Sequence, residues 1–347
     1  MTDRPPPRSG TPETVSIRDV AHHAGVSVGT VSNVLNRPGK VSPGAVERVH
    51  AAIAELGFVR NDAARRLRVG HSTSFGLIVL DAANPFFTDL ARGAEDEAAE
   101  HGYAMLLANS SENLEREATY LDLFESQRTR GVLISPLTSD STRLAALRSR
   151  GIPAVIVDRQ LDDASFSSVS VDDVAGGLAA VTHLLAKGFR RIAFIGGPVG
   201  IRQVSDRLLG ARRAVSAHPD AKLEVIATSA LSVTEGRAAG LAIRARPAGA
   251  WPHAIFAAND LLAVGVLQAM NMSGTSHVPN DVALIGYDDI AFASAAVVPL
   301  TSVRQPSEAI GRTAVGLLID ETEGAMGFAP RQVVFQPELV VRESSGG

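Results

Sequence analysis

Residues 16–57 carry three stretches in which apolar residues recur with the period of an α-helix. Ile17 begins the first stretch, and Ser16 before it has the spacing of a capping box with Asp19. A second stretch follows the turn formed by Gly25 to Ser27, and a third follows Ser42-Pro43, where proline suits a first helical turn. The spacing predicts three short helices around one small core. The glycine turn between the first two is typical of a helix-turn-helix.

The second predicted helix has two different faces. Val31, Val34 and Leu35 are expected to face inward. The other face carries small and amide side chains without charge: Val28, Gly29, Thr30, Ser32, Asn33 and Asn36. Such a face suits the major groove of DNA better than bulk water.

From Phe75 onward, short apolar runs alternate with amphipathic segments of helix length. Runs such as FGLIVL, AVIVD and VALIGYD have the composition of buried parallel strands. The alternation predicts βαβ units, too many for one small sheet, so two similar lobes are expected. Polar residues follow several predicted strands: Asn84, Asp158, Asn259 and Asp288. Because open α/β sheets bind ligands at the carboxyl ends of their strands, we expect a cleft lined from both lobes.

Length and composition fit a small head and a large core. The 347-residue chain contains no cysteine, which excludes disulfides and zinc-finger DNA binding. It has no apolar run of about 18 residues, so no membrane span is predicted. The N-terminal MTDRPPPRSGTPET lacks the apolar segment of a secretory signal, and its prolines predict a disordered arm over residues 1–15. We therefore expect a cytoplasmic protein.

The formal net charge of −4 is distributed unevenly. Residues 16–70 contain eight arginines and lysines against four acidic residues, so the rest of the chain is acidic. A basic head on an acidic body directs nucleic-acid affinity to one end of the molecule.

Motifs of catalytic sites are poorly represented. GGPVG at 196–200 matches neither the dinucleotide fingerprint nor a phosphate loop with its lysine, and no G-x-S-x-G elbow occurs. The adjacent His22 and His23 project about 100° apart from a helix, which does not suit a shared metal. We expect no enzymatic activity, no cofactor and no bound metal.

The N-terminal pattern resembles a known family. The segment VSIRDVAHHAGVSVGTVSNVLNRPGKVSPGAVERVHAAIAELGFVRNDAARRLR is similar to the DNA-binding head of LacI/GalR-family transcriptional regulators. The body from Phe75 to Arg342 resembles the periplasmic sugar-binding-protein fold that this family fuses to the head. The resemblance implies an all-α helix-turn-helix head followed by an α/β, two-lobed core with parallel sheets, like the periplasmic binding proteins.

The resemblance also implies domain limits. After the arm come a helix-turn-helix domain over 16–60, a hinge helix and linker over 61–73, and an effector-binding and dimerisation core over 74–344. The chain is expected to cross between the lobes three times. This expectation places about 74–172 and 305–329 in lobe 1, and about 173–304 and 330–344 in lobe 2.

For DNA binding, the resemblance assigns base contacts to Val28, Gly29 and Asn33, at the exposed start of the second helix. Asn33 can form two hydrogen bonds to adenine, and Val28 can pack on a thymine methyl. Thr30 and Ser32 are expected to hold phosphates.

In the hinge, Asn61 is expected to cap a short helix and Arg65 to add positive charge. Leu67 is expected to wedge between bases in the minor groove when two hinges fold together on DNA. Arg60 stands where many relatives carry proline. The expected assembly is a homodimer on a palindromic DNA operator.

For the effector, the resemblance is to ribose-binding proteins and ribose-responsive regulators. The implied contacts come from both lobes: Asn84, Phe86, Phe87, Asp158, Arg159, Arg207, Asn259, Asp288 and Gln305. The two phenylalanines are expected to flank a sugar, and Asp158 with Arg159 to bind neighbouring hydroxyls. Leu231 falls near the position where those proteins have an aromatic ring.

The expected function is repression of carbohydrate-uptake and catabolic genes, with release from the operator by a small sugar, preferably a ribose-like pentose. Three other effectors remain open for the same class of regulator, namely a hexose, a nucleoside and a purine. A sugar-binding protein without a role on DNA is the remaining alternative.

Overall fold

The computed structural model describes residues 15–58, 72–160, 164–272, 277–324 and 328–346. The chain divides into two units, residues 1–70 and 71–347. The predicted hinge contacts Asn61, Arg65 and Leu67 lie outside the described residues.

Three helices form the N-terminal unit: α1 (Ile17–His23), α2 (Val28–Asn36) and α3 (Pro43–Leu56), with a 3-10 turn at Pro38–Lys40. Their core contains one fully buried valine from each helix, Val20, Val31 and Val49. Gly57 ends α3 in the left-handed region at φ 62°, where glycine costs least.

The predicted caps of the first two helices are present. Ser16 Oγ accepts a hydrogen bond from Asp19 N, while the Asp19 carboxylate accepts one from Ser16 N at 2.8 Å. Ser27 Oγ accepts a hydrogen bond from Thr30 N at 3.0 Å. These caps satisfy backbone donors at the helix starts and fix the turn between α1 and α2.

The first lobe of the core has six strands: β1 (Ser74–Val79), β2 (Ala104–Asn109), β3 (Val132–Ile134), β4 (Ala154–Val157), β5 (Ser167–Val171) and β11 (Gln332–Phe335). All pair in parallel, in the order β11-β5-β4-β3-β1-β2. Its helices are α4 (Pro85–Glu100), α5 (Leu114–Ser126), α6 (Thr142–Ser149) and α12 (Ser307–Thr322).

The second lobe has the strands β6 (Arg191–Gly196), β7 (Lys222–Ala227), β8 (Ala254–Ala257), β9 (Ala283–Asp288), β10 (Thr301–Arg304) and β12 (Glu338–Val340). Their order is β12-β10-β9-β8-β6-β7, and β12 alone in this sheet is antiparallel. The helices are α7 (Asp173–Ala186), α8 (Arg202–Ser216), α9 (Val233–Arg244), α10 (Asp260–Asn271) and α11 (Ala291–Ala295), with 3-10 turns at Ala248–Ala250 and Glu343–Ser345.

Helices α4 and α12 pack at very short distance in the first lobe. A Cβ added at Gly93 of α4 would lie 2.1 Å from Glu308 O, and one added at Gly311 of α12 would lie 2.1 Å from Leu90 O. Glycine at both positions therefore fixes α12 against α4. None of the helices in the described parts of the chain is long and apolar enough to span a bilayer.

The predicted last lobe boundary, between 329 and 330, is wrong. Strand β11 pairs with β5 of the first lobe, with Gln332 opposite Ser168 and Phe335 opposite Val171. The chain reaches the second sheet only at β12, after the short link at 336–337. The two short strands follow each other closely, so the apolar pattern alone does not assign them to different sheets.

Candidate functional site

The outer face of α2 is accessible in the N-terminal unit. Val28, Gly29 and Asn33 are exposed, and Val28 retains 42% of its accessible surface. Thr30 and Ser32 are half-buried, and Thr30 Oγ1 lies 2.9 Å from the hydroxyl that caps the helix. An uncharged helix face with an exposed valine and an exposed amide has the chemistry that reads base edges.

A cavity of about 430 Å³, part of it open to solvent, lies between the two lobes of the core. Seven of the predicted effector residues line it: Asn84, Phe86, Phe87, Asp158, Arg207, Asn259 and Asp288. Leu231 lines it too.

The first lobe contributes aromatic and amide side chains from the start of α4. Asn84 caps this helix, because its Oδ1 accepts a hydrogen bond from Phe86 N at 3.1 Å. The rings of Phe86 and Phe87 are buried with centroids 5.0 Å apart and planes at 72°. The edge-to-face packing holds both rings at the cavity wall.

The second lobe contributes a buried arginine. Arg207 Nε donates to Asp173 Oδ1 at 2.7 Å, its Nη1 donates to Ala258 O at 2.7 Å, and its guanidinium lies 3.7 Å from the centre of the Tyr287 ring. Burial acts to lower the pKa of Arg207, but the carboxylates of Asp173 and Asp288 raise it above its usual range. The protein's own carboxylates therefore keep this guanidinium charged.

Asp288 ends β9 in a conformation that few non-glycine residues adopt. Its φ is 103°, and the φ of Asp289 is 52°. The turn is held by hydrogen bonds: Asp289 N donates to Ser302 Oγ at 3.0 Å, and the Asp289 carboxylate accepts from Arg304 and Arg342 at 2.8 and 2.6 Å. These contacts keep the Asp288 carboxylate aimed at the cavity.

Two hydrogen-bonded pairs join the lobes at the cavity. Asn84 Nδ2 donates to Asp288 Oδ2 at 2.9 Å. Gln203 Nε2 donates to the carbonyl and carboxylate oxygens of Asp158, at 2.9 and 2.6 Å. Burial, and next the Asp173 carboxylate, raise the pKa of Asp158 to about 8. In the described structure, these side-chain hydrogen bonds connect the two lobes across the cleft.

Sequence reasoning missed five lining residues: Leu80, Asp81, Glu112, Ile201 and Gln203. Asp81 could have been predicted in the same way as Asn84, because it is a polar residue that follows β1 by two positions. Glu112 could have been predicted in the same way, because it comes three residues after β2, whereas its φ of 54° is a property of the folded turn. Burial, and next the Asp81 carboxylate, raise the pKa of Glu112.

Two family models match this chain, one in each of its two units. Residues 16–61 match the model described as bacterial regulatory proteins, lacI family, and residues 181–345 match a periplasmic binding protein-like domain. The ribose operon repressor of Halalkalibacterium halodurans is 35% identical over 332 residues, covering 96% of this chain and 97% of that protein.

The chain belongs to the LacI family.

Solved structures agree with this assignment. This LacI-family chain superposes on the lac repressor dimer bound to operator and the anti-inducer ONPF with a TM-score of 0.80 at 26% identity, covering 96% of this chain and 99% of that one. A LacI-family regulator from Enterococcus faecium with bound ribose gives 0.71 at 25%, covering 78% and 98%. As a family member the chain is a DNA-binding transcriptional regulator and not an enzyme. Among its described residues, no cluster of three or more acidic or histidine side chains is arranged to hold a metal.

Two predicted effector residues do not line the cavity of this LacI-family core. Arg159 turns away, and its guanidinium donates to Pro136 O at 2.8 Å and Ser139 Oγ at 3.1 Å. The preceding Asp158 has a φ of 65°, so the two neighbours face different sides, and the expected Asp158–Arg159 fork is wrong for this arrangement. Gln305 is buried behind the cavity, where its Nε2 donates to Asp288 Oδ1 at 2.8 Å.

The predicted Asn259 and its neighbour Leu231, which stands where the resemblance placed an aromatic ring, both line the cavity. Asn259 Oδ1 accepts from Leu262 N at 3.0 Å and caps α10, while its Nδ2 donates to Leu231 O at 3.2 Å. Asn259 is therefore both a helix cap and part of the cavity surface.

Proposed function

We propose that this LacI-family regulator is a cytoplasmic repressor of carbohydrate-uptake and catabolic genes. It binds a palindromic operator as a homodimer and leaves it when a small sugar, by preference a pentose of ribose size, occupies the cavity between the lobes. The observation that carries the proposal is the buried set of Asn84, Asp158, Arg207 and Asp288 beside two phenylalanine rings.

Hydroxyl groups both donate and accept hydrogen bonds, so a sugar matches this mixed set. The protonated carboxyl group of Asp158 can both donate to and accept from sugar hydroxyls, Asp288 can accept from them, and the guanidinium of Arg207 can donate to their oxygens. The phenylalanine rings suit the apolar C–H faces of the ring. A deoxygenated analogue should bind less tightly, because it removes a hydrogen bond to a buried polar group of the cavity.

Charge narrows the effector class further. Four carboxylates line the cavity, those of Asp81, Glu112, Asp158 and Asp288, against the single guanidinium of Arg207 among the described lining residues. Burial raises the pKa of Asp158 to about 8 and also raises the pKa values of Glu112 and Asp288, which favours the neutral carboxyl groups and, with them, an uncharged effector over an ionic one. The similarity to ribose operon repressors and to a regulator with bound ribose supports the choice of ribose.

On the DNA side, we assign base contacts to Val28, Gly29 and Asn33, and phosphate contacts to Thr30 and Ser32. The hinge residues Asn61, Arg65 and Leu67 complete the proposed interface, with Leu67 inserted into the minor groove. Sugar binding closes the lobes, changes how the two hinges are presented, and shifts the population away from the state that binds DNA.

Two measurements test this proposal with the full chain. DNA selection from a random pool is expected to yield a palindrome, and Asn33→Ala is expected to weaken binding to it by about 1–3 kcal/mol and to relax preference at one position in each half-site. His50→Ala, an exposed substitution on α3 outside the proposed interface, is the control. Unchanged sequence preference in Asn33→Ala contradicts the assignment.

Calorimetry with ribose, xylose, glucose and adenosine tests the effector. We expect ribose to bind most tightly and Asp288→Ala to abolish its binding. If adenosine or glucose binds tightly while ribose gives no heat, the pentose assignment is wrong. If Asp288→Ala and Arg207→Ala leave the binding unchanged, the cavity is not the effector site.

A further inference from the structure

The turn that carries Asp288 is held from behind by a second aspartate. Asp260 is the first residue of α10 and is fully buried, and it is not among the described residues that line the cavity. Its Oδ2 accepts a hydrogen bond from Ile290 N at 2.9 Å, and its Oδ1 accepts one from Ser302 Oγ at 2.7 Å. Both oxygens of this carboxyl group are therefore used on the segment that follows β9 and on the neighbouring strand β10.

Ser302 connects Asp260 to the backbone of the same turn. The Ser302 Oγ accepts a hydrogen bond from Asp289 N at 3.0 Å. A hydroxyl has one proton to donate, and that of Ser302 is donated to Asp260. Ser302 is fully buried, so the loss of either partner leaves a buried polar group without its hydrogen bond.

Asp260 does not cap its own helix. Asn259 has that role, because its Oδ1 accepts a hydrogen bond from Leu262 N at 3.0 Å. Asn259 also lines the cavity. Asp260 therefore joins two walls of the cavity from behind, namely the start of α10, where Asn259 lies, and the turn at Asp288.

The backbone of this turn depends on such support. The φ of Asp288 is 103° and that of Asp289 is 52°, and residues other than glycine keep such conformations only where their surroundings hold them. Asp260 and Ser302 bind the backbone N–H groups of Ile290 and Asp289, the two residues directly after Asp288. Without these two hydrogen bonds the turn can relax, and the Asp288 carboxyl group changes direction.

We propose that Asp260 and Ser302 are positioning residues for the effector. They do not touch the sugar, and by fixing Asp288 relative to Asn259 they determine which configuration of sugar hydroxyls the cavity accepts. The inference rests on the proposed function, because it takes Asp288 as a sugar contact.

Asp260→Asn separates the two acceptor oxygens from the shape of the side chain. The amide has nearly the shape of the carboxyl group, but its nitrogen cannot accept a hydrogen bond. In this variant either Ile290 N or Ser302 Oγ therefore loses its acceptor. Ser302→Ala breaks the same network from its other end.

The test is calorimetry of the full chain with ribose and with xylose, which differs from ribose only in the configuration at C3. A variant that merely unfolds more easily lowers both apparent affinities by the same factor, so the ratio of the two Kd values does not report stability. In Ser302→Ala and in Asp260→Asn we expect ribose affinity to fall by at least about tenfold, a difference of about 1.4 kcal/mol, and the preference for ribose over xylose to fall by at least about threefold.

Ser344→Ala is the matched control. Ser344 is fully buried like Ser302, and its Oγ likewise accepts from a backbone N–H, that of Thr301 at 2.8 Å, and donates to one acceptor, Leu284 O at 2.6 Å. These partners lie outside the turn, and Ser344 does not line the cavity. Urea unfolding should show similar losses of stability in Ser302→Ala and Ser344→Ala, whereas Ser344→Ala should keep the ribose affinity and the preference over xylose.

Ser302→Thr tests rescue, because it retains the hydroxyl in a strand position that suits a β-branched residue. We expect this variant to recover most of the ribose affinity lost in Ser302→Ala.

Three results overturn the inference. Ser302→Ala and Asp260→Asn both keep the full preference for ribose; Ser344→Ala loses as much preference as Ser302→Ala; or Ser302→Thr, folded as stably as the unsubstituted protein, binds ribose no better than Ser302→Ala. The unsubstituted protein alone decides the proposed function. If it binds neither sugar, the sugar effector fails and the inference fails with it, whereas an unchanged preference in the variants contradicts the inference alone.

Discussion

The first lobe presents two aromatic rings and the capping Asn84 to the cavity, whereas the second presents a guanidinium held between carboxylates. Both lobes have the same order of parallel strands, apart from the antiparallel β12. Yet Arg207 has its partners Asp173 and Ala258 within its own lobe, while Asn84 finds Asp288 across the cleft.

This difference separates two tasks. The charged groups of the second lobe are already desolvated and paired when the protein folds. They are therefore oriented before any sugar binds. The first lobe contributes mainly side chains that complete the cavity when the lobes meet. Changes in the second lobe should therefore damage both stability and binding, and changes in the first should damage binding more than stability.

The largest expected effect is that of Arg207→Ala. Removal of this buried guanidinium leaves the carboxylates of Asp173 and Asp288 without their cation, so we expect a loss of about 3–5 kcal/mol in the free energy of unfolding. Urea unfolding measures the loss, and sugar binding should disappear. Arg212→Ala, exposed on the same helix, should stay within about 0.5 kcal/mol. A loss below about 1 kcal/mol for Arg207→Ala would mean that the second lobe is not organised around this charge.

A second expected effect is a pH dependence of stability caused by Asp158. Its pKa is about 8 in the folded protein against 3.8 normally, so between about pH 4 and 8 the folded state keeps a proton that the unfolded state releases. Stability from this group is thus present at low pH and lost as pH rises through 8, by at most about 1.4 kcal/mol per pH unit.

Asp158→Asn isolates this contribution, because its amide cannot ionise. The free energy of unfolding should fall less steeply between pH 5 and 8 in the variant than in the unsubstituted protein. A residual slope is expected from Asp173, Asp260 and Asp288, since burial raises the pKa of each. Equal slopes for the two proteins would show that Asp158 is ionised throughout.

The smallest expected stability effect is that of Asn84→Ala. Loss of this helix cap should cost about 1 kcal/mol, and loss of the bond to Asp288 should lower sugar affinity as well. Asn113→Ala is the matched control, since Asn113 caps α5 of the same lobe through Arg116 N and does not line the cavity. Both variants should lose similar stability, and Asn84→Ala alone should lose affinity. Equal sugar affinity in the two variants would show that Asn84 of the first lobe does not contribute to sugar binding.

Local features of the sequence predicted local features of the fold. The caps Ser16 and Ser27 depend on residues three positions away, and both are present. Four polar residues that follow predicted strands line one cavity: Asn84, Asp158, Asn259 and Asp288. They lie together because parallel strands end at one edge of their sheet.

Features set by tertiary context were not predictable in this way. The side on which Arg159 lies depends on the positive φ of Asp158, which no residue pattern encodes. Gln203 reaches Asp158 only because the two lobes meet. Strand β11 was assigned to the wrong lobe because two short strands with a short link have no periodicity that distinguishes their sheets.

The most direct test of the central claim is a titration of the complex between the full chain and its selected operator, followed by the fluorescence anisotropy of the labelled DNA. We predict that ribose releases the DNA from the unsubstituted protein in a saturable manner, and that Asp288→Ala binds the same DNA but does not respond to ribose. Release of DNA from both proteins at the same ribose concentration, or no release from either, would contradict a sugar effector bound between the two lobes.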